Sequence, residues 1–244
     1  MKILNEKYGI VEKDFISAEL EIVPAFKANS LGFDRSMVGG YGQDDRVCAY
    51  TSLQAILETE KPEKTAVCLL VDKEEIGSIG NTGMESRMFE TFLGELLRLH
   101  KEDTDINVIN RCFALSRMLS ADVDGAFDPI YAVASEKRNA SFFGMGVGLN
   151  KYTGARGKSG ANDANAEYVA ILRKLFDDNK VRFQISELGK VDEGGGGTIA
   201  YILANKGLNV IDCGTPVLSM HSPYEVSSKF DVYMSYRAYK VFFE

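Results

Sequence analysis

The sequence predicts an α/β fold with a mixed, mostly parallel sheet flanked by helices on both faces. Three observations lead there. Short apolar runs of strand length alternate with amphipathic segments of helical period along the whole chain. The run Ala66-Val67-Cys68-Leu69-Leu70-Val71 is apolar at every position, as a strand covered on both faces must be. Glycines and acids gather where such runs end, the edge at which open α/β sheets bind ligands.

Residues 1–14 are expected to be an extra or disordered lead-in to one domain spanning 1–244. Phe15 to Val23 alternates well enough for a strand, and Pro24 ends it. Lys27 to Tyr41 is small, polar and glycine-containing, a loop. Asp45 to Glu58 carries apolar residues at helical spacing. Asp44 and Asp45 at its start suit the free amides and the dipole there. The buried strand 66–71 then runs into Asp72-Lys73-Glu74-Glu75, broken by Gly77 and Gly80. Glu85 to His100 is a strongly amphipathic helix whose last turn places His100 against the dipole, a structural role.

Asp105 to Ser116 reads as another helix, and Ala121 to Ala126 as a strand tip with acids. Phe142 to Lys151 is a strand and Thr153 to Asn162 a loop. The loop's Gly157-Lys158-Ser159 has Tyr152 where a phosphate-binding loop needs glycine. A helix over Ala164 to Asp178 and a strand over Val181 to Glu187 follow. Four glycines, Gly194 to Gly197, then precede Thr198 and a short helix, Ile199 to Asn205. They either free amides to meet an anion or carbonyl, or form a flexible loop. Leu208 to Cys213 is a strand, and Tyr224 to Phe243 a closing helix.

With 45% hydrophobic and 26% charged residues, the composition is that of a soluble globular protein. A net charge of −7 weighs against nucleic acid and anionic membranes as partners. No apolar run approaches the ~20 residues that span a bilayer, and the first residues carry no signal-peptide core. Cys48, Cys68, Cys112 and Cys213 form no CxxC pair, which fits buried thiols in a reducing cytoplasm.

Five residues sit at strand-to-loop positions: Asp44, Glu74, Glu75, Asp122 and His221. Neighbouring side chains on an extended chain point opposite ways, so one glutamate of the pair can ligate a metal while the other faces water. Carboxylates crowded together repel unless a cation neutralises them. An aspartate shared between two zinc ions, with a free glutamate as base, is one way to build a hydrolase. Solvated acidic loops are the plainer reading, and spacing alone does not decide between them.

The local wording goes further. Asp-Lys-Glu-Glu-Ile-Gly-Ser, Ser-Ala-Asp-Val, Gly-Gly-Thr-Ile and Pro-Val-Leu-Ser-Met-His-Ser occur in that order. From about Phe15 to its end the chain resembles the aspartyl aminopeptidase family of zinc aminopeptidases. The resemblance implies a phosphorylase/hydrolase-like sheet, a two-zinc centre, a peptide substrate and removal of its N-terminal residue. By the same resemblance, Asp44 matches the metal-bridging aspartate, often joined by a cis peptide to the next residue. Glu74 matches the general base. Glu75 and His221 match ligands of one zinc, and Asp122 a ligand of the other. Gly195, Gly196 and Thr198 fall in a loop lining the substrate pocket, and Lys151 near a substrate-side lysine.

Two departures stand out. The family's N-terminal histidine ligand and the dimerisation insert after it have no counterpart here. One zinc would then have Asp44, Glu75, His221 and water, and the other only Asp44 and Asp122, binding weakly. The resemblance implies two zinc ions per site, and these departures leave one as the alternative for this chain, with Co2+ or Mn2+ as alternatives to Zn2+. The missing insert also bears on whether the chain forms the homo-oligomeric cages of the family. Gly125 stands where the family has a histidine that holds acidic side chains. The alternative to an active enzyme is an incomplete one, with the fold but a defective second site, serving only for assembly or binding.

Overall fold

A computed structural model describes residues 1–156, 158–190, 192–193 and 195–244. Two short helices, α1 (Lys2–Tyr8) and α2 (Glu12–Ile16), lead into two sheets. The first sheet has the order β1-β2-β10-β9-β4, from β1 (Asn29–Leu31), β2 (Met37–Gly40), β4 (Asp124–Gly125), β9 (Pro216–Leu218) and β10 (Glu225–Ser228). The second has the order β3-β8-β5-β6, with β7 also on β5. It uses β3 (Arg117–Ser120), β5 (Val147–Ala155), β6 (Ser159–Asp163), β7 (Phe183–Glu187) and β8 (Asn209–Gly214). The remaining helices are α3 (Gln43–Leu57), α4 (Met88–Leu99), α5 (Ile106–Leu115), α6 (Ala166–Asp178), α7 (Ala200–Ala204) and α8 (Lys229–Phe243).

The second sheet is covered on both faces because its strands alternate. Along β8, Ile211 and Cys213 enter a core with Tyr168, Leu172 and Phe176 of α6 and Ala238, Tyr239 and Val241 of α8. Val210 points the other way and packs with Ala200, Ile202 and Leu203 of α7. The spacing of Tyr168, Leu172 and Phe176, four residues apart, gives α6 a single apolar face. Asn165 starts that helix by accepting the Tyr168 amide at 2.9 Å. Phe176 is fully buried, so truncating it to alanine costs about 3–5 kcal/mol. Ala55 of α3 and Ala238 of α8 are both fully buried in this core.

The α/β class, the mixed sheet and the helices on both faces match the sequence expectation. Parallel ladders join β3 to β8, β5 to β7 and β4 to β9. Antiparallel ladders are more numerous than a mostly parallel sheet implies. The first sheet is largely antiparallel, and β5 runs antiparallel to β8.

Several local expectations are corrected. Phe15 to Val23 is no strand: Asp14 accepts the Val11 amide at 2.8 Å and starts α2. Ile16 and Ile22 stay exposed, so no face rewards the alternation. The lead-in residues 1–14 carry α1 and most of α2, neither with a buried residue. The apolar run 66–71 forms no strand and joins no described ladder. Leu69 and Val71 pack on the α7 cluster while Val67 and Leu70 are exposed. The loop 27–41 contains β1 and β2. The loop 153–162 is mostly a β5–β6 hairpin, stitched to β8 as Thr153 donates to Asp212 (3.2 Å) and Asn162 to the Val210 carbonyl (3.1 Å). Gly157 lies outside the described residues. The last helix begins only at Lys229, because Glu225 to Ser228 pair with β2 and β9 and Ser228 caps α8. Among the described residues no helix is long and apolar enough to cross a membrane.

Candidate metal centre

Four chain segments deliver the predicted ligands. After β2, Gly42 takes a left-handed turn (φ 69°) that aims the chain into α3. Asp44 and Asp45 occupy the start of that helix with non-helical backbone angles and are joined by a cis peptide, as the resemblance implied. Glu74 and Glu75 form one turn of 3₁₀ helix with Ile76, bracketed by left-handed Lys73 and Gly77. Asp122 follows β3, and its neighbour Val123 donates to its Oδ1 at 2.8 Å. His221, left-handed at φ 63°, lies in the turn between β9 and β10, where the Ser222 amide bonds the Ser219 carbonyl at 3.0 Å.

Folding brings these segments to one point. His221 Nε2 lies 2.9 Å from Asp44 Oδ2 and 3.3 Å from Glu75 Oε1. Ligand atoms of Asp44, Glu75 and His221 all fall within 4.8 Å of one another, as do those of Asp44, Asp45 and Asp122. Asp44 is common to both groups, the placement a bridging carboxylate requires. One group combines oxygen and imidazole donors, a set that suits zinc. The other holds only carboxylates among the described residues.

The electrostatics of the pocket favour a cation. Burial, then the Glu75 charge, pushes the Asp44 carboxyl up to about 6, although His221 opposes the shift. Asp45 is pushed to about 8, first by burial and then by Asp44, against the lowering bond from Cys48. Asp122 lies well above the usual carboxylate range because it is buried beside Asp45, Asp44 and Glu74. Glu74 is raised by burial, then by Glu75 and Asp44. Asp45 Oδ1 is also buried without a hydrogen-bond partner among the described residues. A bound divalent cation would relieve all of these penalties at once, so the residues fit the metal.

The remaining predicted residues are spread differently. Thr198 is buried and bonds Asp212, whose charge reaches both Glu74 and Asp122. A side chain added at Gly195 or Gly196 would strike Leu188, and the Gly154 amide bonds the Gly196 carbonyl at 3.0 Å, while Gly195 and Gly197 themselves are exposed. Gly194 lies outside the described residues. Lys151 pairs with Asp163 across the hairpin, and no described contact ties it to the carboxylates. His100 ends α4, its backbone amide bonding the Leu96 carbonyl at 3.2 Å. Gly125 sits against Leu188.

Three acids at the centre went unassigned in the sequence. In the sequence Asp45 reads as a helix-start acid, and Glu225 falls inside the expected helix from Tyr224 to Phe243. Asp212 carried a signal: a lone carboxylate inside Val210-Ile211-Asp212-Cys213, fully buried and pushed up to about 6 by that burial.

Fold and site together define an α/β domain whose loops gather carboxylates and an imidazole around a divalent-cation position. Within that class the chain belongs to the M18 peptidase family: the family model described as aminopeptidase I zinc metalloprotease (M18) matches residues 1–243. It is 57% identical over 242 residues to a probable M18 family aminopeptidase 1 of Clostridium acetobutylicum, covering 99% of this chain and 52% of that protein. The corresponding enzyme of Thermotoga maritima is 48% identical over 244 residues, covering 100% and 54%. The crystal structure of the Clostridium acetobutylicum aminopeptidase I matches with a TM-score of 0.92 at 56% identity, covering 100% of this chain and 52% of that one. The M18 aminopeptidase structure from Thermotoga maritima matches at 0.95 and 48%, covering 100% and 54%. An aspartyl aminopeptidase 4 of Saccharomyces cerevisiae is 28% identical over 262 residues, covering 98% and 52%. The chain spans about half the length of the curated relatives it matches.

Proposed function

We propose that this chain carries the catalytic centre of a zinc aminopeptidase that removes the N-terminal residue of peptides. The convergence of Asp44, Glu75 and His221 on one ligand point, with Glu74 beside them, is the observation that carries the reading. Asp44, Glu75 and His221 would hold one metal ion, and Asp44, Asp122 and Asp45 would border a second. When bound, zinc supplies Lewis acidity and makes a water acidic near neutral pH. Glu74 takes the proton of the attacking water at its carboxylate and returns it to the departing amine. The half-buried position of Glu74 raises its proton affinity, which suits a group that must both accept and give up that proton. Thr198 bonds the buried Asp212, whose charge acts on both Glu74 and Asp122.

The test is Glu74→Gln in the zinc-loaded protein. Bound zinc should persist while turnover of a leucine or aspartate p-nitroanilide falls about 10²–10⁴-fold, the worth of a general base. Unchanged turnover removes Glu74 from the mechanism.

A second reading is motivated by the all-carboxylate second group: the fold with a defective second site, serving assembly or binding only. Zinc content per chain separates the two. About two ions, by analogy with two-metal sites, supports the enzyme; one or none supports the other reading. A cytoplasmic setting and self-association belong to the same proposal; light scattering tests the latter.

A further inference from the structure

We infer that Glu225 is the positioning residue of this metal centre, its buried carboxylate clamping the backbones of Asp44 and His221 together. The inference rests on the metal-centre reading above and concerns a residue that touches neither substrate nor metal.

Glu225 opens β10 and is only 2% exposed. Its two oxygens do separate work. Oε2 accepts the Asp44 amide at 3.0 Å, and Oε1 accepts the His221 amide at 2.9 Å. These are the same two residues whose side chains meet at 2.9 Å. Asp44 is 181 positions away in the chain, whereas His221 is four. One carboxylate therefore joins a local turn to a distant helix start.

Sheet register delivers the carboxylate. Glu225 pairs with Gly40 at the end of β2, just before the turn into α3. Gln43 reinforces the junction by donating to the Glu225 carbonyl at 2.7 Å and to the Val38 carbonyl at 3.1 Å. The Ser227 hydroxyl donates back to Gln43.

Both clamped backbones need such help. Asp44 lies at φ −82°, ψ 110°, outside the helical region, so no helical ladder holds it. His221 adopts a left-handed φ of 63°, which a side-chain-bearing residue keeps only where its surroundings over-determine it. Charge-assisted bonds to two amides are strong enough to do this and to offset burial of the carboxylate. A glutamine could not, because it offers one acceptor oxygen and would turn an NH₂ toward the second amide.

A buried acid of this kind could be merely structural, and the fold supplies its own control. Asp231 is buried likewise and accepts two amides, Gly144 at 2.6 Å and Gly146 at 2.7 Å, neither from a metal-binding residue. Zinc affinity of the full chain is measured by chelator competition for wild type, Glu225→Gln and Asp231→Asn, with the visible spectrum of the Co2+-substituted forms. Glu225→Gln should bind zinc about 10–100-fold more weakly, as loss of a ligand-orienting partner does, and should shift the Co2+ bands. Asp231→Asn should melt earlier yet keep the wild-type affinity and spectrum. If Glu225→Gln fails to fold, Glu225→Asp retains the charge but is one methylene too short to reach both amides, and the same loss is expected. A folded Glu225 variant with unchanged affinity and spectrum overturns the clamp. A wild-type chain that binds no zinc overturns the metal-centre reading and the clamp with it, so the two failures are distinct.

Discussion

Gly214→Ala tests whether the β8 end sets the position of Asp122. Gly214 closes β8 facing Gly148 of β5, and the space a side chain would need there is filled by the Asp122 backbone. A methyl added there would overlap the Asp122 carbonyl and come within 3.2 Å of Val123 Cα. The obstacle is backbone, so it cannot swing aside as a flexible side chain would. Ordinary contact needs roughly 3.5 Å, so the Asp122 segment must move by well over an ångström. Overpacking of this kind costs about 1–3 kcal/mol, and the rigid obstacle places it near the top of that range. At about 2–4 °C per kcal/mol for a chain of this length, the midpoint should fall by roughly 6–12 °C. A displaced Asp122 also cannot meet Asp44 and Asp45, so the stabilisation gained from added zinc should shrink. Differential scanning fluorimetry with chelator and with zinc reads both effects. Wild-type melting together with a wild-type zinc increment would refute the placement of Asp122 at the centre.

Other outcomes follow from the same geometry. His221→Ala should lose one bound zinc per chain by metal analysis. Because that side chain is 62% exposed, melting in chelator should move by no more than about 2 °C, the scale of a surface change. The metal-free chain should lose stability as pH rises. Asp44 and Asp45 are raised from 3.8 to about 6 and about 8 in the folded state, so between those limits the folded chain holds protons the unfolded one has released. Their contribution is complete below pH 3.8 and gone above about 8. Chelated protein should thus melt higher at acidic than at mildly alkaline pH, and zinc should restore the loss; equal midpoints would contradict the buried cluster. Asp45→Asn removes a charge that burial penalises. It should raise the metal-free midpoint in alkaline buffer while weakening zinc binding, and a lowered midpoint would count against the repulsion.

Helices with a strong local signal were legible in the chain. Glu85 to His100, Asp105 to Ser116 and Ala164 to Asp178 contain α4, α5 and α6 to within three residues at either end. Their apolar spacing and their capping residues are properties of neighbours in sequence. Segments whose conformation depends on a partner were misread. Glu225 to Ser228 extends because β2 and β9 lie on either side. Phe15 to Val23 alternates yet finds no sheet, and the run 66–71 is held by packing with no described ladder.

By itself the sequence determined the α/β class, the family through its ordered motifs, and the identity of Asp44, Glu74, Glu75, Asp122 and His221 as the acids and imidazole to watch. Tertiary structure alone decided that Asp45 joins Asp44 and Asp122 in the second group, that the buried Asp212 acts electrostatically on Glu74 and Asp122, and that Glu225 grips two ligand backbones. The reason is physical: residue type and spacing encode local preference, but a ligand set assembled from segments up to 177 positions apart (221 − 44) exists only once sheet register and core packing have fixed where each segment ends.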